Sequence, residues 1–351
     1  MKGRTFKLCV LTRWDFNFCI RSSPLRGFTE DEVRKATENL KNNKPPGMDG
    51  ITAEMLKAGG ECIVKWMYRL CNRVWNSGEV PEDWRNGAVV CIPEKGNLTE
   101  CDNWRGVTLL SIPGKVYCQV ILTRMRDAVD KELREQQTGF RPKRSCAEQI
   151  FTLRRIIEKC NEFQTPLAIS FIDFTKVFDS IHKPSLWNIM RTYGIPPKVI
   201  SAIEQIYADS TCCITTEDGY SGWFEVVTGV RQGCLLSPIL FALAIDWVLK
   251  KAKKDQGIQW LEGQKLSDLD FADDVAALAE TARDLQSLVS EIRTSAASIG
   301  LSISIKKTKN MLAGTHPPPT SAYIDRRKWK WWTILHISGA PLTATETWIK
   351  N

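Results

Sequence analysis

Two places in this chain put carboxylates where carboxylates are costly. Asp173 sits near the end of an almost continuous apolar run, Leu167–Phe174, reading LAISFIDF. Asp273 and Asp274 stand side by side, much further downstream, between apolar residues in FADDVAALA. Like charges packed together near a core repel each other and lose hydration, a penalty on the order of several kcal/mol per ion when nothing compensates. A divalent cation is the simplest compensation. Mg2+ in particular takes one or two carboxylates and completes its shell with waters and phosphate oxygens. Two blander readings stand beside this one: adjacent acids in a turn are commonly a solvated turn, and Asp173 alone serves equally as a strand end.

The elements that must position these acids can be read from apolar spacing. LAISFIDF has the length and continuity of a central strand buried on both faces. Leu266 to Ala279 reads as two short strands around an acidic turn. Thr281 with Asp284 caps a helix whose stripe is Leu285, Leu288, Val289, Ile292 and Ile299, with Gly300 as its left-handed end. Upstream, Thr29 and Glu32 form a capping-box pair, Val33, Ala36 and Leu40 follow at helical spacing, and Pro45-Pro46 is the expected stop. Apolar residues between Ile63 and Trp75 predict a helix ending at Gly78, and Ala88 to Pro93 a short strand running into a polar loop at Glu94 to Asn97. Cys146 to Cys160 predicts an amphipathic helix with Ile150, Leu153, Ile156 and Ile157 inward. Central strands mixed with long packing helices, without internal repeats, give an α+β fold class.

The acids do not stand alone. Phe171–Asp179, FIDFTKVFD, resembles motif A of reverse transcriptases; Thr228–Phe241, TGVRQGCLLSPILF, is similar to motif B; FADD at 271–274 to motif C; and Gly300–Lys309, GLSISIKKTK, to motif D. Upstream, Lys44–Glu54, Asn103–Ser111 (NWRGVTLLS) and Thr138–Ser145 (TGFRPKRS) resemble the fingers segments of LINE-type, non-LTR retrotransposon polymerases. The resemblance runs from about Phe28 to Ala313, in order. It implies a right-hand polymerase fold, with fingers over about 28–165 and a palm reaching about 313. The implied reaction is RNA-templated extension of a DNA primer by deoxynucleoside triphosphates, with two Mg2+ ions.

The resemblance also assigns roles by position. Asp173 and Asp273 would hold the metal ions, with Asp274 as the third acid. Phe178 falls where the family carries an aromatic gate against ribose; it also reads as a plain core residue. Gln232 and Gly233, just before a helix opening at Ser237-Pro238, would border the incoming nucleotide and template base. Arg105 matches the fingers arginine that grips a triphosphate, and Lys95 is a looser second cation that reads equally as a solvated charge. Lys307 holds the motif D lysine, a proton donor to the leaving group, or else part of a basic helix-end patch. Asp179 and Ser180 are expected to shape motif A.

Several positions depart from the family pattern. Glu94 stands where a lysine is usual and Asn97 where an aspartate is, while Ser304 replaces Asn and Val177 replaces Ala. After Ala313 the family continues with a primer-gripping hairpin and a thumb, whereas this chain reads KWKWWTILHI at Lys328–Ile337, and four of its 13 Trp lie in the last 23 residues. Moving the reading frame back by one nucleotide there permits V-E-V-V-D-D-F-T-Y-L. The expectation is therefore a frame change between about Thr315 and Lys328. Residues 1–27 would then be an irregular leader, 28–313 the fingers and palm, and 314–351 an out-of-frame tail replacing primer grip and thumb.

Composition excludes less than it suggests. A formal net charge of +8 in 351 residues fits a polyanion partner, weakly. The 12 Cys include no C-x-x-C pair and there are three His, which leaves little for a zinc module; the scattered thiols read as reduced and intracellular. Pro238 to Leu249, the longest apolar run, is too short to span a membrane and contains Asp246. The expected partners are an RNA template and a DNA primer, without a membrane. The expected location is cytoplasmic or nuclear, as a ribonucleoprotein. Two alternatives remain at this point: a catalytically inactive retroelement remnant that keeps the fold and binds nucleic acid, and a domesticated or maturase-type relative.

Overall fold

The computed structural model describes residues 26–94, 96–252, 256–261, 263–314, 323–324, 327–328 and 331–333. Within them the chain is an α+β protein built on two five-stranded sheets.

The N-terminal helices wrap the first sheet. α1 (Glu30–Glu38) opens with the capping box at Thr29 and Glu32, each side chain meeting the other's backbone N–H. It ends at Asn39 rather than running on to Pro45-Pro46, so the prolines lie in the following loop and do not terminate it. α2 (Ala53–Ala58) is short, and α3 (Gly60–Ser77) ends at Gly78 in the left-handed conformation, φ +77°. The single turn α4 (Glu82–Arg85) leads to β1 (Gly87–Pro93) and β2 (Trp104–Leu109), which pair antiparallel. α5 (Ile112–Glu132), capped by Ser111, is the longest helix among the described residues and buries residues around most of its circumference. Arg124 on α5 donates from two nitrogens to Glu32 and fixes α1 beneath it.

α6 (Cys146–Glu162) precedes β3 (Leu167–Ile172), every residue of which is buried. A single turn, α7 (Val177–Ser180), is followed by α8 (Lys183–Thr192) and α9 (Pro197–Tyr207). β4 (Thr211–Thr216), β5 (Gly219–Tyr220) and β6 (Phe224–Glu225) complete the first sheet, in the order β2-β1-β4-β5 with β6 also on β4. α10 (Ser237–Lys251), with Pro238 in its first turn, is buried along nearly its whole length. β7 (Ile258–Leu261) and β8 (Gln264–Leu266) form a separate hairpin.

The second sheet runs β14-β11-β3-β10-β9, where β9 is Asp268–Phe271, β10 is Asp274–Ala279 and β11 is Lys309–Ala313. β3 is its centre and pairs antiparallel with both neighbours. An unbroken apolar strand is more usual in parallel sheets; here it follows from cover on both faces. Ala168 and Ile172 enter one apolar core, while Leu167, Ile169 and Phe171 enter another. α11 (Ala282–Ala297) packs on this sheet by the stripe Leu285, Leu288, Val289 and Ile292. Gly300, φ +87°, closes it: Leu301 N–H donates to Ala296 C=O (3.0 Å) and Gly300 N–H to Ala297 C=O (3.1 Å), the bond pair of a Schellman turn.

The leader at 1–27 lies, except for Arg26 and Gly27, outside the described residues, as does Lys95. Of the tail 314–351, Gly314 and three short strands are described: β12 (Tyr323–Ile324) and β13 (Arg327–Lys328) pair with each other, and β14 (Trp331–Thr333) pairs parallel with β11. No helix of the described residues is long and apolar enough to cross a membrane.

Candidate active site

The site is built where the end of β3 meets the turn between β9 and β10. Val275 pairs with Ile172, so Asp274 and Asp173 follow at the same end of the two strands, close enough for Asp173 to act on Asp274. Phe271 and Asp274 flank a two-residue turn, Ala272-Asp273, and so bring the second acid beside the first two. Three acids from two distant stretches of sequence therefore share one end of the central sheet.

Their electrostatics reflect that crowding. Burial raises the Asp173 carboxyl above its ordinary range; Lys307 opposes the rise and Asp273 adds to it. Burial likewise raises Asp273, against Arg105 and Lys307. Asp274 is pushed up to about 6 by burial, then by Asp273 and Asp173. Asp173 Oδ1 is buried and has no hydrogen-bond partner among the described residues. A buried acceptor without a partner is costly, and a hard cation satisfies that oxygen and the repulsion at once. Among the described residues no group of three or more His, Cys, Asp or Glu stands as a metal-holding cluster. The fit to a cation rests instead on the unpartnered Asp173 oxygen and the carboxylates crowded beside it.

The segment after α11 is stitched to the strand end that carries Asp173. Ser304 N–H donates to Asp173 C=O (2.8 Å), Thr175 N–H to Ser302 C=O (2.9 Å), and Asp173 N–H to Thr308 Oγ1 (3.4 Å). This holds the exposed Lys307 within electrostatic reach of Asp173 and Asp273.

From the other side come β2 and the loop before α10. Thr108 N–H donates to Gln232 C=O (2.7 Å), and Arg105 Nε donates to Gln232 Oε1 (3.3 Å). Gly233 has φ +115° and lies so close to Thr108 that a Cβ would overlap the Thr108 carbonyl oxygen. Glycine is thus required twice over, by conformation and by space. Arg105, also near enough to act on Asp273, links this loop to the acids.

Phe178 is half-buried and its ring packs on Phe241, centroids 5.0 Å apart. Its backbone carbonyl accepts from Val230 N–H (2.6 Å), so the turn α7 is seated on the loop leading to Gln232. Asp179 accepts at its backbone oxygen from Thr228 Oγ1 (2.9 Å), and Ser180 Oγ donates to Lys176 C=O (2.9 Å). Arg231, beside Gln232, instead points inward and donates to the carbonyls of Trp84, Arg85 and Ile206.

Sequence reading passed over one charged group behind the site. Arg134 is buried and ion-paired with Asp246, Asp268 and Asp270. Tyr193 Oη also donates to Asp246, and Lys250 reaches it at 2.9 Å. Burial, then the neighbouring Asp268, push the Asp270 carboxyl up, against the pull of Arg134. The available signal was Asp246, a lone acid inside an apolar helix.

A family model described as "Reverse transcriptase (RNA-dependent DNA polymerase)" matches residues 92–335. The chain is 27% identical over 294 residues to the "Transposon TX1 uncharacterized 149 kDa protein" of Xenopus laevis, covering 82% of this chain and 22% of that protein. It is 26% identical over 280 residues to the "Retrovirus-related Pol polyprotein from type-2 retrotransposable element R2DM" of Drosophila melanogaster (80% of this chain, 26% of that one). With the "Retrovirus-related Pol polyprotein from type-1 retrotransposable element R2" of Nasonia vitripennis it shares 25% over 334 residues, 90% of this chain and 32% of the relative. The chain therefore spans between about a fifth and a third of the length of these relatives.

Proposed function

The chain belongs to the reverse transcriptase (RNA-dependent DNA polymerase) family, and from that premise we propose that it is the polymerase core of a non-LTR retrotransposon. On this reading it extends a DNA primer along an RNA template with deoxynucleoside triphosphates. The observation that carries the reading is the gathering of Asp173, Asp273 and Asp274, each raised above its ordinary pKa, around a buried Asp173 oxygen that no group among the described residues satisfies.

Asp173 and Asp273 would hold two Mg2+ ions, with Asp274 as the third acid. When bound, the ions supply Lewis acidity toward the primer hydroxyl and neutralise charge on the departing pyrophosphate. The chain's own residues do the rest. Arg105, oriented by Gln232 Oε1, presents a guanidinium to the triphosphate from the β2 side. Gly233 lets the backbone come close to the nucleotide and template base. Lys307, within electrostatic reach of Asp173, would give a proton to the leaving group. Phe178, seated against Phe241, is the gate that meets the 2′ position of the sugar.

The test is extension of oligo(dT) on poly(rA) with Mg2+, comparing the chain with Asp273→Asn. Extension lost in the variant supports the reading. Absence of extension from both, with circular dichroism showing a folded protein, favours the inactive remnant. The frame change read at 328–337 is decided by the nucleotide sequence: codons that cannot spell V-E-V-V-D-D-F-T-Y-L one nucleotide back exclude it.

A further inference from the structure

The turn that carries Asp273 is held by more than the pairing of its own two strands. Ala272 takes φ +60°, a left-handed conformation that a residue with a Cβ adopts only when its surroundings impose it. Those surroundings are one short segment, residues 136–139, lying beside β9. Asp270 N–H donates to Gln136 C=O (3.1 Å), and Thr138 donates to Asp270 C=O from both its N–H (3.1 Å) and its Oγ1 (3.0 Å). Gln137 pairs with Asp270 as an isolated parallel bridge on the free edge of the sheet.

The Gln137 side chain, fully buried, then reaches past β9 to the turn. Its Oε1 accepts from Ala272 N–H (3.2 Å) and from Gly139 N–H (2.8 Å), and its Nε2 donates to Ala272 C=O (3.5 Å). One amide thus closes on both polar groups of the residue before Asp273. Gly139 completes the grip, since a Cβ there would overlap the Ala272 backbone. The segment is itself anchored, by Gln149 Nε2 on Gln136 C=O (2.8 Å) and by Arg141 Nη1 on Gln137 C=O (2.9 Å).

We propose that Gln137 is a positioning residue of the polymerase site: it imposes the left-handed Ala272 and thereby sets the direction in which Asp273 presents its carboxylate. The proposal rests on the reading of Asp273 as a metal-holding acid. Only an amide meets the demand, because a donor and an acceptor are needed together at the end of a side chain of this length. An ionised glutamate would set a second acceptor against the Ala272 carbonyl, and methionine would offer neither function.

The test compares the whole chain with Gln137→Met and Gln137→Glu, after thermal melts establish that each folds. Two readouts are taken. Hydrogen–deuterium exchange over residues 269–275 is expected to accelerate in both variants while exchange in α3 stays as in the parent. Primer extension at varied Mg2+ is expected to need a several-fold higher half-saturating Mg2+, with kcat down about 10–100-fold, the usual range for groups that orient metal-holding side chains. The KM for dTTP should stay within about twofold, since Arg105 and Gln232 are untouched. A merely structural loss would lower the melting temperature and the active fraction without moving the Mg2+ requirement. Unchanged exchange at 269–275, or an unchanged Mg2+ requirement in a Gln137→Met protein that still extends primers, overturns the proposal. If the parent chain extends no primer, the polymerase reading has failed, and the exchange result alone decides whether Gln137 holds the turn.

Discussion

Arg134 Nε lies 2.9 Å from Asp246 Oδ1, a buried ion pair beside β9, the strand that runs into the turn carrying Asp273. The same guanidinium also meets Asp268 and Asp270, so one cation joins α10 to β9 and the loop after α5. Replacing Arg134 by Met leaves Asp268 and Asp270 without that counter-charge and Asp246 with Lys250 alone. Breaking a buried pair by removing one partner costs about 3–5 kcal/mol, and urea denaturation is expected to show a loss of that size. Arg134→Lys should recover little of it, because a single ammonium cannot reach three carboxylates as a fork of separate nitrogens does. A loss below about 1 kcal/mol would mean the cluster relaxes around water.

Gly233→Ala should damage the site without touching any charged group. The new Cβ meets the Thr108 carbonyl and forces an alanine to φ +115°, a strain of roughly 1–3 kcal/mol. The tie between Thr108 and Gln232 is expected to open, releasing Arg105 from its partner and raising the KM for dTTP. Gly222→Ala, where the added methyl meets open space, is the control expected to leave kinetics unchanged. Equal kinetics for both variants would place the Gly233 loop outside nucleotide binding.

Phe178→Ala should raise incorporation of ribonucleotides relative to deoxynucleotides, with some loss of stability from the vacated contact with Phe241. Competition between dTTP and UTP in one extension reaction gives the ratio. Unchanged discrimination with reduced stability would assign the ring to the core alone.

The metal-free protein should carry an electrostatic cost that titrates away in acid. Asp274 has its folded pKa pushed up to about 6, against about 3.9 for an unfolded aspartate. The folded state therefore binds its proton more tightly, so the group opposes folding above pH 6 and ceases to do so as pH falls toward about 4. In EDTA, Asp274→Asn is expected to melt at a higher temperature than the parent at pH 7.5, with the advantage shrinking at pH 5. An advantage of equal size at both pH values would point to packing rather than charge.

What could be read from the sequence was what local chemistry writes locally. The capping box at Thr29, the left-handed ends at Gly78 and Gly300, and the two-faced burial of Leu167–Ile172 all follow from short-range patterns. The acids, too, were conspicuous, because a carboxylate in an apolar run has few explanations. α5 was harder to see: residues such as Val116, Tyr117, Val120 and Ile121 are all buried, so no polar face marks a period. Gln137 and Arg134 were invisible for a different reason. Each lies in a polar stretch, LREQQ, that reads as surface, and only the approach of β9, more than a hundred residues later in the chain, buries it.

The position of β3 at the centre of its sheet has a consequence for how the protein is made. During synthesis Leu167–Ile172 emerges roughly a hundred residues before β10 and still longer before β11, the two strands that cover its edges. At about 5–20 residues per second that apolar strand waits on the order of 5–20 seconds with both rows of backbone groups open, a template for adhesion to other nascent chains. Ribosomes crowded on one message would bring such edges together. A holding chaperone, or slow initiation that spaces the ribosomes, should therefore govern the yield of soluble protein more than the final stability of the fold.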